Sequence, residues 1–317
     1  MEQRINLDLI VNSIRKEIEE SLNNLGLYYR IFARGKSLDS INRKVGRKAG
    51  IYNEKKKLQD IIGIRVVLYF ADDISVVYGL FKTMSNYVDE SNSEKDIQEL
   101  DNNTKLSIGK LSDKLFMPQR LNLIFRMSEF DTDNLKMALS NLDISDKIDN
   151  TYEIQIRTIF SEGWHEVEHD LRYKCLDDTM WDYCQEESRY LNGIYASLEA
   201  TECSMRSIFD NIAYKNFKHG DWSAMMRNKF CIRFEDSFLS KNLCDLLAAN
   251  NSIIGKEIFK FRREDLFVLL KALPGRMPKK MDNIIFLINR MTIKCDKIVE
   301  IEPSPISDLL NKLSISE

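Results

Sequence analysis

Four short clusters in this 317-residue chain carry residue types that can do chemistry. The first is Arg34-Gly35-Lys36-Ser37, followed by Ser40, Ile41 and Lys44. The second is Asp60-Ile61-Ile62-Gly63-Ile64-Arg65, and the third is Glu153-Ile154-Gln155-Ile156-Arg157-Thr158. The fourth is Trp164 with Glu168 and His169, followed by Tyr173 and Lys174. Two carboxylates, Asp60 and Glu153, among several arginines and lysines are what a magnesium–nucleotide site requires. Mg²⁺ takes one or two carboxylates plus phosphate oxygens, and the cations neutralise the phosphates. Each cluster alone is weak: an aspartate before a strand is usually a cap, and a basic run is usually a solvated face.

The elements that must hold these residues follow from periodicity. Ile5, Leu9, Ile10, Ile14, Ile18, Leu22 and Leu25 recur at three-to-four spacing, an amphipathic helix over 5–25 with Gly26 as its stop. Residues 30–57 are strongly basic. Residues 61–70 read as a buried strand, and Asp72 or Asp73 caps a helix running to about residue 86. The acidic stretch 89–104 reads as a loop or a short exposed helix. Two further strands are expected at 121–127 and 152–157. Alternation puts Glu153, Gln155 and Arg157 on one face of the last, with Tyr152, Ile154 and Ile156 on the other. A long helical stretch over 159–217, interrupted near Lys174, leads to a boundary around residues 218–228. The chain thus divides into residues 1–217 and a smaller α/β domain, 218–317, with a strand at 230–234, helices near 237–249 and 263–273, and an apolar segment near 284–291.

Composition bounds the class. The formal charge of -3 says little about partners, and 44% hydrophobic residues suffice for a packed core. The N-terminus lacks the apolar run of a signal peptide, and the most apolar segment, IIGIRVVLYFA, is short and carries Arg65, so no membrane span is expected. The six cysteines form no C-x-x-C pair, which argues against a zinc ribbon or disulfide framework and fits a reducing cytoplasm.

Taken in order, the four clusters resemble the synthetase domain of the RelA/SpoT family, whose patterns are R-x-K-x-x-x-S, D-x-x-G-[IV]-R, E-x-Q-[IL]-R-T and W-x-x-x-E-H with a later Y-K. The match covers roughly residues 30–175. The resemblance implies an α/β (α+β) fold related to nucleotidyltransferases, a mixed β-sheet flanked by helices. It also implies transfer of the β,γ-pyrophosphate of ATP to the 3′-hydroxyl of GDP or GTP, releasing AMP. On that reading Asp60 and Glu153 hold Mg²⁺, and Glu153 also takes the proton of the attacking hydroxyl. Arg34, Lys36, Lys44 and Arg65 grip the ATP phosphates or stack on adenine, and Gln155 and Arg157 orient the acceptor. One motif departs. The family usually carries G-Y-x-[SA]-[LI]-H, with a tyrosine that stacks on the acceptor base. Here Met117-Pro118-Gln119-Arg120-Leu121-Asn122 stands in its place, so Pro118 replaces the tyrosine and Asn122 the histidine. Phe116 or Arg120 can present a flat face to a base instead.

Alternatives stay open on the acceptor: the 3′ end of tRNA, as for toxin-type members of the family, or an adenine nucleotide. A degenerate, nucleotide-binding regulatory protein and a homo-oligomer are open as well. His165-Glu166-Val167-Glu168-His169 formally matches H-E-x-x-H of zinc proteases, but no third ligand is identifiable, and a helix packing Trp164 is the better reading. Residues 256–280 hold eight lysines and arginines; they read as a surface for RNA or as a solvated helix face, with Phe259, Phe261 and Phe267 serving the core.

Overall fold

In the computed structural model of the chain, the described residues are 6–47, 52, 56–90, 121–140, 144–168, 171, 183–249 and 253–313. They form two compact units, one of residues 1–20 and 29–202, the other of residues 21–28 and 203–317.

The first unit is built on a five-stranded mixed sheet in the order β1-β2-β5-β4-β3. The strands are β1 (Tyr29–Gly35), β2 (Ile62–Leu68), β3 (Tyr87–Glu90), β4 (Leu121–Arg126) and β5 (Thr151–Thr158). Only the central pair, β2 and β5, is parallel; every other neighbour is antiparallel. Helix α1 (Asp8–Leu25) precedes the sheet, and α2 (Leu38–Arg47) follows β1. Helix α3 (Asp73–Lys82) leads from β2 to β3, α4 (Glu129–Leu139) follows β4, and α5 (Ile159–Glu168) follows β5 directly.

The apolar sheet face explains why these strands form. Ile62, Ile64, Val66 and Leu68 of β2, Tyr152, Ile154 and Ile156 of β5, and Leu121, Leu123 and Phe125 of β4 are all buried, in the period-two pattern of a half-covered sheet. Phe125 lies at the centre of this layer, stacked on Tyr152 at 5.5 Å and edge-on to Phe81 of α3 at 6.0 Å. The expected alternation along β5 holds. Helix α1 buries Ile10, Ile14, Ile18 and Leu22 at four-residue spacing. It ends where expected: Gly26 has φ +68°, Leu27 N–H donates to the Leu22 carbonyl at 3.4 Å, and Gly26 N–H to that of Asn23 at 2.9 Å.

Two elements escape the sequence reading. Strand β1 lies within the segment read only as basic, and β3 takes in residues 89 and 90, read as the start of a loop or short helix.

The second unit is helical among its described residues, not α/β. The expected strand at 230–234 is the end of the helix Trp222–Phe230 and an irregular segment after it. Cys231 takes the left-handed conformation, φ 44°, and the carbonyls of Phe230 and Cys231 accept from the buried Arg263 guanidinium at 2.5 and 3.2 Å. These carbonyls take a side chain as partner where a strand would use a neighbouring strand. Arg263 and Lys279 also remove two members of the basic 256–280 group from the surface, both being buried. Burial holds the Lys279 ammonium down at about 8. Phe261 and Phe267 are core residues, as expected. No described helix is long and apolar enough to cross a membrane.

Gly255 gives a test of packing in this unit. A Cβ there would overlap the ring of Trp222, which is 6% exposed and cannot swing into solvent. Alanine normally gains ~1 kcal/mol over glycine inside a helix. Overpacking costs ~1–3 kcal/mol. Gly255→Ala is therefore expected to lower the denaturant midpoint; a raised midpoint would show that Trp222 does not occupy that space.

Candidate active site

The polar residues share the other sheet face. Strand pairing sets them in lateral rows, since Cα partners point the same way. One row runs Arg34, Gly63, Glu153 and Ile124; the next runs Phe32, Arg65, Gln155 and Asn122. A third holds Arg30, Val67 and Arg157. Glycine at position 63 leaves bare backbone between Arg34 and Glu153: a Cβ added there meets nothing within 4 Å.

Asp60 stands at the entrance to β2, and its backbone is held on both sides. The Gln59 carbonyl accepts from Thr151 Oγ1 at 3.2 Å, and the Ile61 carbonyl accepts from Lys36 N–H at 2.8 Å. The Arg34-Gly35-Lys36-Ser37 cluster makes this possible. Arg34 and Gly35 end β1, and a Cβ at Gly35 would lie 2.8 Å from Leu7. Lys36 then turns toward Asp60. Ser37 Oγ accepts from Ser40 N–H at 3.4 Å at the start of α2, Ile41 anchors that helix in the core, and Lys44 lies one turn on. Lys36 and Lys44 both donate to Asp60 Oδ2, Lys44 at 2.5 Å. Burial pushes the Asp60 carboxyl up, but the hydrogen bonds and charges of the two lysines outweigh it and hold it below the usual range. Burial prevails at Lys36, whose ammonium is lowered; at Lys44 burial also lowers, but the bond to Asp60 prevails and the ammonium is raised. Asp60 Oδ1 is buried and has no hydrogen-bond partner.

A continuous chain of hydrogen bonds crosses the same face. Gln155 Nε2 donates to Glu153 Oε1 at 2.6 Å, and Arg157 Nη2 to Gln155 Oε1 at 3.3 Å. Arg157 Nη1 donates to Glu162 Oε2 at 2.9 Å, and Arg65 Nη1 to Glu162 Oε1 and Glu166 Oε1, both at 2.5 Å. Glu162 thus joins the arginines of two strands. It is the residue that the motif reading leaves out. Its signal was available: Glu162 and Glu166, one turn apart on the helix following E-I-Q-I-R-T, form an acidic pair facing Arg65 and Arg157. Burial lowers the Arg65 guanidinium, but its two carboxylates outweigh that and raise it.

The structure therefore brings Arg34, Lys36, Lys44, Asp60, Arg65, Asn122, Glu153, Gln155 and Arg157 to one sheet face and its entrance. Arg34 is exposed, whereas Lys36, Lys44, Arg65 and Arg157 are engaged by carboxylates. Arg120 and the Phe116–Pro118 stretch lie outside the described residues, as do His169, Tyr173 and Lys174. Among the described residues no group of three or more His, Cys, Asp or Glu side chains could hold a metal. Asp60 and Glu153 are hard oxygen donors suited to sharing a divalent cation with ligand phosphates.

Thr158 closes the motif at a second buried carboxylate. Its Oγ1 donates to Glu202 Oε2 at 3.0 Å, while Glu202 Oε1 is buried without a partner. Burial pushes the Glu202 carboxyl up to about 7, and the charges of Glu199 and Asp72 add to the rise against the opposing Thr158 bond. Between 4.5 and about 7 the folded chain holds a proton that the unfolded chain releases, so this group's stabilisation is lost as pH rises through that window. Glu202→Gln, which carries no charge, is expected to match the wild-type melting temperature near pH 4.5. Above pH 7 it should exceed it, because the buried carboxylate then costs the wild type on the order of a few kcal/mol of unfolding free energy. Equal melting curves at both pH values would refute the assignment.

Residues 33–178 match the family model described as a region found in RelA and SpoT proteins. A comparison with curated protein sequences found no match. Among solved structures, small alarmone synthetase 1 from Bacillus subtilis is similar at 18% identity, over 64% of this chain and 91% of that one, with a TM-score of 0.42. The same synthetase bound to its product pppGpp gives 19%, 65%, 94% and 0.43. A GTP pyrophosphokinase family protein from Streptococcus pneumoniae gives 19%, 63%, 87% and 0.41. The part of the chain that resembles this region of RelA and SpoT proteins holds β2, β5 and the Lys36–Asp60–Lys44 cluster.

Proposed function

We propose that the chain is a Mg²⁺-dependent pyrophosphokinase that moves the β,γ-pyrophosphate of ATP to the 3′-hydroxyl of a guanosine nucleotide. The observation that carries this reading is the row Arg34, Gly63, Glu153: a cation and a carboxylate on either side of bare backbone, within the RelA/SpoT region. The 3′-oxygen attacks the β-phosphorus, the bond from the α-phosphate bridging oxygen to that phosphorus breaks, and AMP leaves. Glu153 takes the hydroxyl proton on the oxygen not engaged by Gln155. Arg34 and the net-positive Lys36–Asp60–Lys44 cluster bind the phosphates, and the Arg157–Gln155 chain keeps Glu153 in place. A divalent cation shared by Asp60 and Glu153 would neutralise phosphate charge. The partnerless Asp60 Oδ1 supports such a site. Positioning and charge neutralisation supply most of the catalysis in phosphoryl-type transfer.

The test is incubation of the protein with labelled ATP and Mg²⁺, adding in turn GDP, GTP, no acceptor, and bulk tRNA, and scoring AMP and pyrophosphorylated product. Transfer to GDP or GTP is expected. Transfer to tRNA or to ATP itself would replace the acceptor and keep the reaction; no AMP from any mixture would refute the enzyme reading.

A further inference from the structure

Glu202 lies in the helix Gln185–His219, beyond the residues that match the family model, and is 6% exposed. Its Oε2 takes the hydroxyl of Thr158, the last residue of β5, and its Oε1 has no partner. The same hydroxyl caps α5, because Thr158 Oγ1 accepts from Ser161 N–H at 3.2 Å. That cap needs only threonine. The glutamate behind it adds no bond to the helix, and a carboxyl kept from water in this way destabilises the fold once ionised. A buried group that works against stability calls for a role elsewhere.

The junction between β5 and α5 supplies that role. A threonine side chain can choose between rotamers, and one that both donates to Glu202 and accepts from Ser161 is held in one of them. The first turn of α5 carries Glu162, whose two oxygens hold Arg65 and Arg157. Arg157 continues through Gln155 to Glu153. Resting on the pyrophosphokinase reading above, we infer that Glu202 is a positioning residue for transfer. By fixing the Thr158 hydroxyl it sets the start of α5, and through Glu162 it sets the place of Glu153. The support of the site thus extends to a residue that no motif of the site contains.

Glu202→Leu and Glu202→Gln of the full chain, compared at pH 8, test the assignment by rate, melting temperature and amide exchange. Leucine fills a similar volume without an acceptor. It should slow single-turnover transfer at saturating ATP roughly 10- to 100-fold, while melting no lower than wild type, because a buried charge is gone. Glutamine keeps an acceptor for Thr158 and should recover most of the rate. Exchange at the first turn of α5, around Ser161, should be faster in the leucine variant than in wild type or the glutamine variant. Wild-type rate in Glu202→Leu, or an equal loss in both variants, overturns the assignment. So does unchanged exchange at α5, a readout that holds whether or not the chain transfers pyrophosphate. Wild-type protein that releases no AMP overturns instead the reading beneath it.

Discussion

Replacing Glu153 by glutamine should lower the rate of pyrophosphate transfer by ~10²–10⁴-fold, the range for loss of a positioned proton acceptor. The substitution changes little else. Glutamine has nearly the same volume, its amide oxygen can still accept from Gln155 Nε2, and the position on β5 is only half-buried. What disappears is the charge and the capacity to take a proton. Glu153→Asp keeps both but draws the carboxylate back by one methylene, and should retain more activity than the glutamine variant. The measurement is single-turnover AMP release with ATP and the acceptor that the wild type uses. Transfer within tenfold of wild type in Glu153→Gln would remove Glu153 from the chemistry. An equal, large loss in the aspartate and glutamine variants would point to geometry as its contribution instead of proton transfer.

The candidate site was largely legible because its strands alternate. E-I-Q-I-R-T puts three polar side chains on one face whatever the rest of the fold does, and register then fixes Gly63 opposite Glu153 and Arg65 opposite Gln155. Two kinds of information were missing. Strand β1 is hidden because its outward residues are Arg30, Phe32 and Arg34: the phenylalanine breaks the polar–apolar alternation, and the arginines blend into the basic run. The false strand at 230–234 has the opposite cause. Phe-Cys-Ile-Arg-Phe has strand-like composition, and Phe230 and Ile232 are fully buried, yet burial alone does not make a strand without a pairing partner. That depended on Arg263, over thirty residues later, and on the Gly26 carbonyl, which accepts from Arg233 N–H at 2.7 Å. Neither is visible to a local pattern.

The paired state of the cations bears on how the site would work. Lys36 and Lys44 pair with Asp60 through Oδ2, and Arg65 pairs with Glu162 and Glu166, so a phosphate entering the site exchanges one anion for another instead of meeting bare charge. Bringing two lysines to one aspartate leaves a net positive cluster, which favours an anionic ligand without leaving a buried cation uncompensated. Arg34, exposed in the row of Glu153, has less to give up and is the first cation on which a phosphate would bear.

Glu162→Ala is expected to cost both stability and rate, and the two losses can be separated. The Arg157 side chain is 8% exposed and that of Glu162 14%, so removing the carboxylate leaves a guanidinium almost wholly out of water. Breaking a buried pair in this way costs roughly 3–5 kcal/mol, and the low end applies here because Arg157 keeps its bond to Gln155 and Arg65 its bond to Glu166. The kinetic loss has a different origin. Glu162 anchors the far end of the chain that runs through Arg157 and Gln155 to Glu153, and a displacement of about 1 Å at a reacting group can lower rate ~10²-fold. Glu162→Gln keeps one acceptor and should recover stability more fully than rate, since a neutral amide holds two arginines less firmly. A double-mutant cycle with Arg157→Met distinguishes this network from ordinary packing. Coupling between positions 157 and 162 in both unfolding free energy and transfer rate is expected, because the double variant no longer strands a charge. Additive effects in both readouts would mean that Glu162 does not hold Arg157, and that the alignment of Glu153 depends on β5 alone.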